Sequence, residues 1–130
     1  MIEISLVDDE AIDTLHQEEV NLLTHLLDLL KTAQNVDAIT NSFEALISHM
    51  KEHFFYEESL MQGKGYAMYT IHQTEHYKVL NEANYRMMLW TSSKDTWDLE
   101  EYLRDDLLVW YTQHIDAMDK PLVDFLKGNK

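Results

Sequence analysis

The stretch that decides the fold is ITNSFEALISHMKEHFFYEESLM, residues 39–61. At 100° per residue its apolar side chains share one face of a helix. Two polar residues, His53 and Glu57, fall inside that face. Because side chains four residues apart lie one above the other on a helix, this imidazole and this carboxylate can grip a metal ion from a rigid support. The aligned residues are Ile39, Phe43, Leu46, Ile47, Met50, His53, Phe54, Glu57 and Met61.

Three further amphipathic stretches accompany this one, with short breaks between them. The four are expected to run from about Asp9 to Ala33, from about Asp37 to Gln62, from about Tyr66 to Trp90, and onward from near Thr96. In each of the other three, the residues aligned on one face form an apolar stripe. The stripe of the first helix is Ile12, His16, Val20, Leu23, Leu26, Leu27 and Leu30, and that of the third is Met68, His72, His76, Val79, Leu80, Ala83 and Trp90. The stripe of the fourth helix is Leu99, Leu103, Leu107, Trp110, His114 and Met118. Long helices with short connections predict an all-α fold, an up-down-up-down antiparallel four-helix bundle forming one domain over residues 1–130.

Residues in the breaks are suited to begin and end helices. Asp37 is the expected N-cap of the second helix, and Ser93 or Asp95 that of the fourth. The second helix is expected to end at Gly63-Lys64-Gly65, because glycine adopts the backbone conformation that follows a helix C-terminus.

Composition excludes several classes of function. The 130 residues carry 24 acidic and 10 basic side chains, a net charge of -14, which disfavours binding to nucleic acid or to an anionic membrane surface. No apolar run approaches the roughly 20 residues that a membrane span needs, so membrane insertion is not expected. The absence of cysteine removes disulfides, thiolate ligands and iron–sulfur clusters, and is compatible with a reducing compartment such as the cytoplasm.

Six polar residues lie inside the apolar stripes and call for a shared explanation. A buried polar group costs roughly 1–3 kcal/mol unless it has a partner. The six are His16, His53, Glu57, His72, His76 and His114. A metal centre in the bundle core satisfies all of them at once. By the same angular count, His25 should face solvent, and His49 should flank its stripe near the surface.

Asp119 is the last candidate ligand, although it does not fit a regular helix. It follows His114 by five residues and would point 140° away from it. The helix is therefore expected to end, unwind or bulge between them, either by local unwinding near Pro121 or by a π-type bulge. Imidazole and carboxylate ligands suit iron, manganese or zinc, and two carboxylates favour a di-metal centre. No Glu-x-x-His pair occurs, which disfavours the ferritin-like arrangement.

With these motifs in place, the chain resembles the hemerythrin family, specifically the bacterial hemerythrin-like domains. The resemblance is carried by HFFYEESLM at 53–61 with Tyr66, by HQTEH at 72–76, by IDTLH at 12–16, and by WYTQHI at 110–115 with Asp119. It extends over nearly the whole chain. The fold expectation is not independent of it, because myohemerythrin is itself an up-down four-helix bundle.

The resemblance implies a cofactor of two iron ions with a bridging oxo or hydroxo group, and dioxygen as the ligand. His72, His76 and His114 would hold the iron whose coordination is filled, and His16 and His53 the iron that keeps an open position. Glu57 and Asp119 would bridge the two ions. Phe54, Trp110, Tyr111 and Ile115 match positions around the dioxygen pocket, although Tyr111 is equally well explained as bundle core.

Glu19 departs from the family pattern, which has an apolar pocket residue three positions after His16. Glu19 is expected near the middle of the first stripe, where a carboxylate needs a partner. One hypothesis is that it reaches the open iron or the iron's exogenous ligand; the alternative is that it turns to solvent or pairs with a cation. The chain is thus interpreted as a protein that binds dioxygen rather than an enzyme. Two other functions stay open: an N-terminal oxygen or redox sensor with a downstream signalling domain, and a di-iron peroxidase-like activity that uses Glu19.

Overall fold

The computed structural model describes residues 2–32 and 35–128. The predicted end of the first helix at Ala33, the break residue Gln34 and the outermost residues of the predicted domain lie outside these ranges. The first three helices are α1 (Glu10–Thr32), α2 (Val36–Met61) and α3 (Tyr69–Ser93). In the described residues the remaining segments are turns, bends and short connections. The predicted all-α four-helix bundle is therefore confirmed.

The fourth helix is continuous but changes its winding twice. It consists of α4 (Thr96–Glu101), a first π-helical segment (Tyr102–Leu107), α5 (Leu108–His114), a second π-helical segment (Ile115–Asp119) and α6 (Lys120–Leu126). The second segment confirms the irregularity predicted between His114 and Asp119. Because π-helical hydrogen bonds join residues five apart, Asp119 returns to the face that His114 occupies. The first segment was not predicted, since its sequence contains neither proline nor glycine.

Contacts between helices pair the beginning of one with the end of the next. The Trp90 indole N–H near the end of α3 donates to Thr40 Oγ1 near the start of α2, at 2.8 Å. At the opposite end of the bundle, the Lys127 ammonium lies 2.8 Å from Asp8 Oδ2. Both contacts are compatible with the predicted up-down-up-down order, which stays a prediction.

The helix boundaries follow local capping chemistry and correct two expectations. Asn35, not Asp37, caps α2, because its side-chain oxygen accepts from the Ala38 N–H at 3.1 Å. Asp95 caps α4 as predicted, by accepting from the Asp98 N–H. α3 begins three residues later than expected, so Met68 lies before the helix and is exposed rather than part of the stripe. Gly63, with φ +73°, follows the end of α2 as predicted.

Most of the core lies towards the end of the bundle remote from the polar stripe residues. It is formed by buried side chains from all four helices, among them Leu26, Phe43, Leu46, Ala83 and Leu103. His25, which precedes Leu26 in the sequence, is exposed, and this confirms the predicted orientation of α1. Among the described residues no helix is both long enough and apolar enough to cross a membrane.

Replacement of Leu26 by alanine is expected to lower the free energy of unfolding by about 2–5 kcal/mol, because the side chain is fully buried and its removal leaves a cavity. The matched control is His25→Ala, one residue away on the exposed face, which should change stability by less than about 0.5 kcal/mol. Urea unfolding followed by circular dichroism measures both. Equal losses in the two variants would contradict the assigned orientation of α1.

Candidate metal centre

Seven buried polar side chains meet at one level of the bundle. α1 supplies one of them, α2 two, α3 two, and the fourth helix two. They are His16, His53, Glu57, His72, His76, His114 and Asp119, and none is more than 5% exposed. These are the seven residues that the sequence singled out as candidate metal ligands, and the structure brings all of them together.

The two carboxylates lie between two groups of imidazoles, and each carboxylate faces both groups. One oxygen of each carboxylate points to the first group, which consists of His16 and His53. Glu57 Oε2 is 2.5 Å from His53 Nε2, and Asp119 Oδ2 is 2.9 Å from His16 Nε2. The other oxygens point to the second group. Glu57 Oε1 is 3.2 Å from the Nε2 atoms of His72 and His76.

Asp119 Oδ1 completes the second group. It lies 3.0 Å from His72 Nε2 and 3.2 Å from His114 Nε2. Every imidazole in the centre therefore presents its Nε2 atom. The ligand atoms form two sets, each confined within 4.8 Å: a three-histidine position (His72, His76, His114) and a two-histidine position (His16, His53), with Glu57 and Asp119 shared by both.

Several inward-facing atoms form no hydrogen bond of suitable geometry with the described residues, although ionisable groups lie 3.0–3.2 Å from them. They are Nε2 of His76, Oε1 of Glu57 and Oδ1 of Asp119. An unpartnered buried polar atom costs free energy, so three that converge indicate a missing partner of positive charge. Imidazole nitrogens and bridging carboxylate oxygens are ligands that iron, manganese and zinc accept. The residues present therefore fit a pair of metal ions.

Charges in the centre favour protonation of His16 and His72 and ionisation of the carboxylates, whereas burial lowers the pKa of His114. Burial alone lowers the pKa of His16 and His72, but the neighbouring Asp119 and Glu57 carboxylates outweigh it and raise each pKa to about 9. Burial raises the pKa of Glu57, but the charge of His53 and hydrogen bonds from the surrounding imidazoles lower it well below its ordinary value. Metal binding at His16 and His72 would therefore have to displace their protons.

Two further carboxylates contact the outer nitrogens of the centre's imidazoles. Glu58 Oε2 lies 2.9 Å from His76 Nδ1, and the Gln73 amide donates to the other oxygen of Glu58 at 3.2 Å. Glu19 Oε2 hydrogen-bonds to His53 Nδ1. These contacts lie on the side of each ring that faces away from the ligand atoms, where a carboxylate can hold the orientation of the ring.

The position of Glu19 corrects the hypothesis that this residue reaches the open metal position. Its side chain is buried, 2% exposed, and belongs to neither set of ligand atoms. The His53 ring stands between its carboxylate and the metal centre. The physical reason is that a buried carboxylate needs donors, and Glu19 has two: the Nδ1 atoms of His53 and, at 2.9 Å, of His49.

His49 has a larger role than its sequence position suggested. It is half-buried instead of flanking the bundle surface, and its second nitrogen, Nε2, lies 3.0 Å from Glu18 Oε1. Hydrogen bonds to Glu19 raise the pKa of His49, and burial opposes this only in part. Its angle of about 100° from the centre of the stripe was the reason the sequence missed it; the signal that could have found it is the unexplained buried Glu19 in the neighbouring helix.

Aromatic side chains enclose the histidine rings. Phe54 stacks on His76 with ring centroids 4.0 Å apart, and Trp110 stacks on His114 at 4.4 Å. The Tyr111 hydroxyl donates to the His16 carbonyl oxygen at 3.3 Å. Ile115 is fully buried in the apolar cluster at this end of the bundle. Phe54 and Trp110 thus lie against rings of the three-histidine position and Tyr111 lies beside His16, while the predicted dioxygen pocket stays a prediction.

The comparisons with known proteins agree with this geometry. The family model described as "Hemerythrin HHE cation binding domain" matches residues 7–126, and the chain belongs to the hemerythrin family. Among its relatives, the bacteriohemerythrin of Methylococcus capsulatus is 30% identical over 110 residues, which cover 83% of this chain and 80% of that protein. That of Aquifex aeolicus is 26% identical over 107 residues, covering 82% and 81%.

A third relative extends the comparison over more of the chain. The bacteriohemerythrin of Stenotrophomonas maltophilia is 26% identical over 121 residues, which cover 92% of this chain and 76% of that protein. The comparison with solved structures gave no match.

The metal-free protein should lose stability as the pH rises from about 6.5 to about 9. His16 and His72 bind protons more tightly folded than unfolded, so their contribution is complete below the ordinary pKa of 6.5 and is lost as the pH passes through about 9. The loss should be roughly 1–3 kcal/mol for each imidazole. Urea unfolding in the presence of a chelator measures it. The control is the metal-loaded protein, in which metal replaces these protons and the loss should be smaller. Metal-free protein that is equally stable at both pH values would contradict the assignment.

Proposed function

We propose that this protein is a non-haem di-iron protein that binds dioxygen reversibly in its bundle core, for carriage, storage or delivery. The observation that carries the proposal is the position of Glu57 and Asp119, each with one oxygen towards the two-histidine position and the other towards two histidines of the three-histidine position. Two shared carboxylates can bridge a pair of ions and cannot be used fully by one ion alone.

The five imidazoles divide unequally, and this inequality has a functional consequence. His72, His76 and His114, with the bridging carboxylates, give one position a larger ligand set than His16 and His53 give the other. The position with fewer ligands is the one that can accept an exogenous molecule. Iron bound there would supply reversible binding of dioxygen, as the family resemblance implies.

The protein's own contribution is to hold the ligands and keep water out. The carboxylates come from two different helices, and the second π-helical segment aims Asp119 at the centre. Phe54 and Trp110 stack on ligand rings and limit their rotation. These buried and stacked residues would exclude water from a ligand at the two-histidine position, which would favour reversible binding over redox turnover.

Two features bear on the alternatives. A peroxidase-like function of Glu19 requires its carboxylate at the open position, but its hydrogen bond to His53 Nδ1 keeps it one ring away. The matched relatives are named bacteriohemerythrins, which favours an oxygen-binding function over a sensor of a larger signalling protein. The lack of cysteine is compatible with the cytoplasm, which we keep as the proposed location.

The test is an optical titration of anaerobically iron-loaded protein. We expect two iron ions per chain, a visible charge-transfer band after a pulse of oxygen, and loss of that band when oxygen is removed. Iron analysis and absorption spectra measure these quantities. A single iron per chain would contradict the di-metal centre. Immediate conversion to a stable oxidised spectrum would contradict reversible binding and favour sensing or redox chemistry.

Two variants show whether the iron lies where proposed. Glu57→Ala removes a ligand shared by both positions, so the iron content should fall well below two per chain and the oxygen-dependent band should disappear. His25→Ala removes an exposed histidine from α1 and should leave both unchanged. An unchanged iron content in Glu57→Ala would show that the ions bind elsewhere.

A further inference from the structure

Beyond the ligands, the structure contains a continuous chain of carboxylates and imidazoles that runs from the surface to the two-histidine position. Its order is Glu18, His49, Glu19 and His53. Exposure falls along it, from 54% for the Glu18 side chain and 18% for His49 to 2% and 1% for Glu19 and His53. Each step is a hydrogen bond between a carboxylate oxygen and a ring nitrogen.

The direction of the last hydrogen bond decides which nitrogen of His53 is free for metal. An ionised carboxylate only accepts, so Nδ1 of His53 carries the hydrogen and donates to Glu19. The lone pair of the neutral ring is then on Nε2, the atom that points to Glu57 and the metal centre. A carboxylate partner also makes the ring a stronger electron donor to a metal ion.

Glu19 is held in place by a second donor. His49 Nδ1 lies 2.9 Å from the same oxygen of Glu19, and Glu18 contacts the other nitrogen of His49 at 3.0 Å. α1 carries the two glutamates and α2 carries the two histidines. This series of hydrogen bonds therefore also fixes the distance between the helices that supply His16 and His53.

We infer that Glu19 is a positioning residue for the two-histidine metal position: it fixes the ring and tautomer of His53, and thereby sets how tightly this position, and not its neighbour, holds its metal ion. The inference rests on the proposed function. It explains why a carboxylate is buried on the first stripe, next to a ligand ring.

The bundle contains a matched control. Glu58 contacts Nδ1 of His76 in the same way that Glu19 contacts Nδ1 of His53, but His76 belongs to the three-histidine position. If a carboxylate behind a ligand ring sets metal affinity, the two glutamates should act on different positions. A general effect on folding would not make this distinction.

The experiment is a Zn²⁺ titration of the full chain, monitored by the imidazole ¹⁵N signals in NMR. Zn²⁺ is diamagnetic and binds the same ligand types, so the signals of His53 and His76 report the filling of each position. In Glu19→Leu, affinity at the two-histidine position should fall about 10- to 100-fold, with the three-histidine position unchanged. Glu58→Leu should weaken the three-histidine position instead. Glu19→Gln, whose amide oxygen still accepts, should lie between wild type and Glu19→Leu, and it serves as the second variant if the leucine variant does not fold.

The outcomes separate this inference from the proposed function. If wild type fills both positions and Glu19→Leu does so with unchanged affinity, the inference is overturned and the di-metal centre stands. If Glu19→Leu weakens both positions equally, Glu19 acts on the fold as a whole and the inference is again overturned. If wild type itself leaves His16 and His53 without Zn²⁺, the proposed function and the inference both fail.

Discussion

The rest of the structure depends on two carboxylates held between five imidazoles in a core from which water is excluded. Burial of Glu57 and Asp119 as ions is unfavourable unless positive charge lies beside them. Protonated His16 and His72 can supply that charge, and bound metal ions could supply it instead. The same electrostatic requirement therefore stabilises the helix arrangement and makes the core receptive to cations.

The helices meet this requirement by different local means. In α2 and α3, ordinary α-helical spacing of four residues places His53 above Glu57 and His72 above His76. The fourth helix needs a spacing of five, and a π-helical segment provides it. The winding of the fourth helix is what brings Asp119 to the same face as His114. Apolar packing at the remote end, around residues such as Leu26, can then stabilise the bundle without involvement of the centre.

Much of the fold and of the candidate centre could be predicted from the sequence, because both depend on helical periodicity. The apolar stripes predicted the four helices. The six polar residues within them, together with Asp119, are the seven residues that meet in the core. The five-residue step to Asp119 predicted an irregularity in the fourth helix, and the structure shows that it is a π-helical segment. Asn35 was not predicted as the N-cap, since Asp37 is an equally suitable residue two positions later. The partners of Glu19 were not predicted either, because they depend on the distance between α1 and α2 and on a ring that lies 100° from the stripe of its own helix.

The measurement that tests the central claim most directly is Mössbauer spectroscopy of the iron-loaded, oxidised protein in an applied magnetic field. If Glu57 and Asp119 bridge the two positions, the ferric ions should be magnetically coupled, and the spectrum should show a diamagnetic ground state that accounts for nearly all the iron. Two magnetically isolated ferric ions, or a single paramagnetic species, would contradict the bridged centre on which this description of the protein depends.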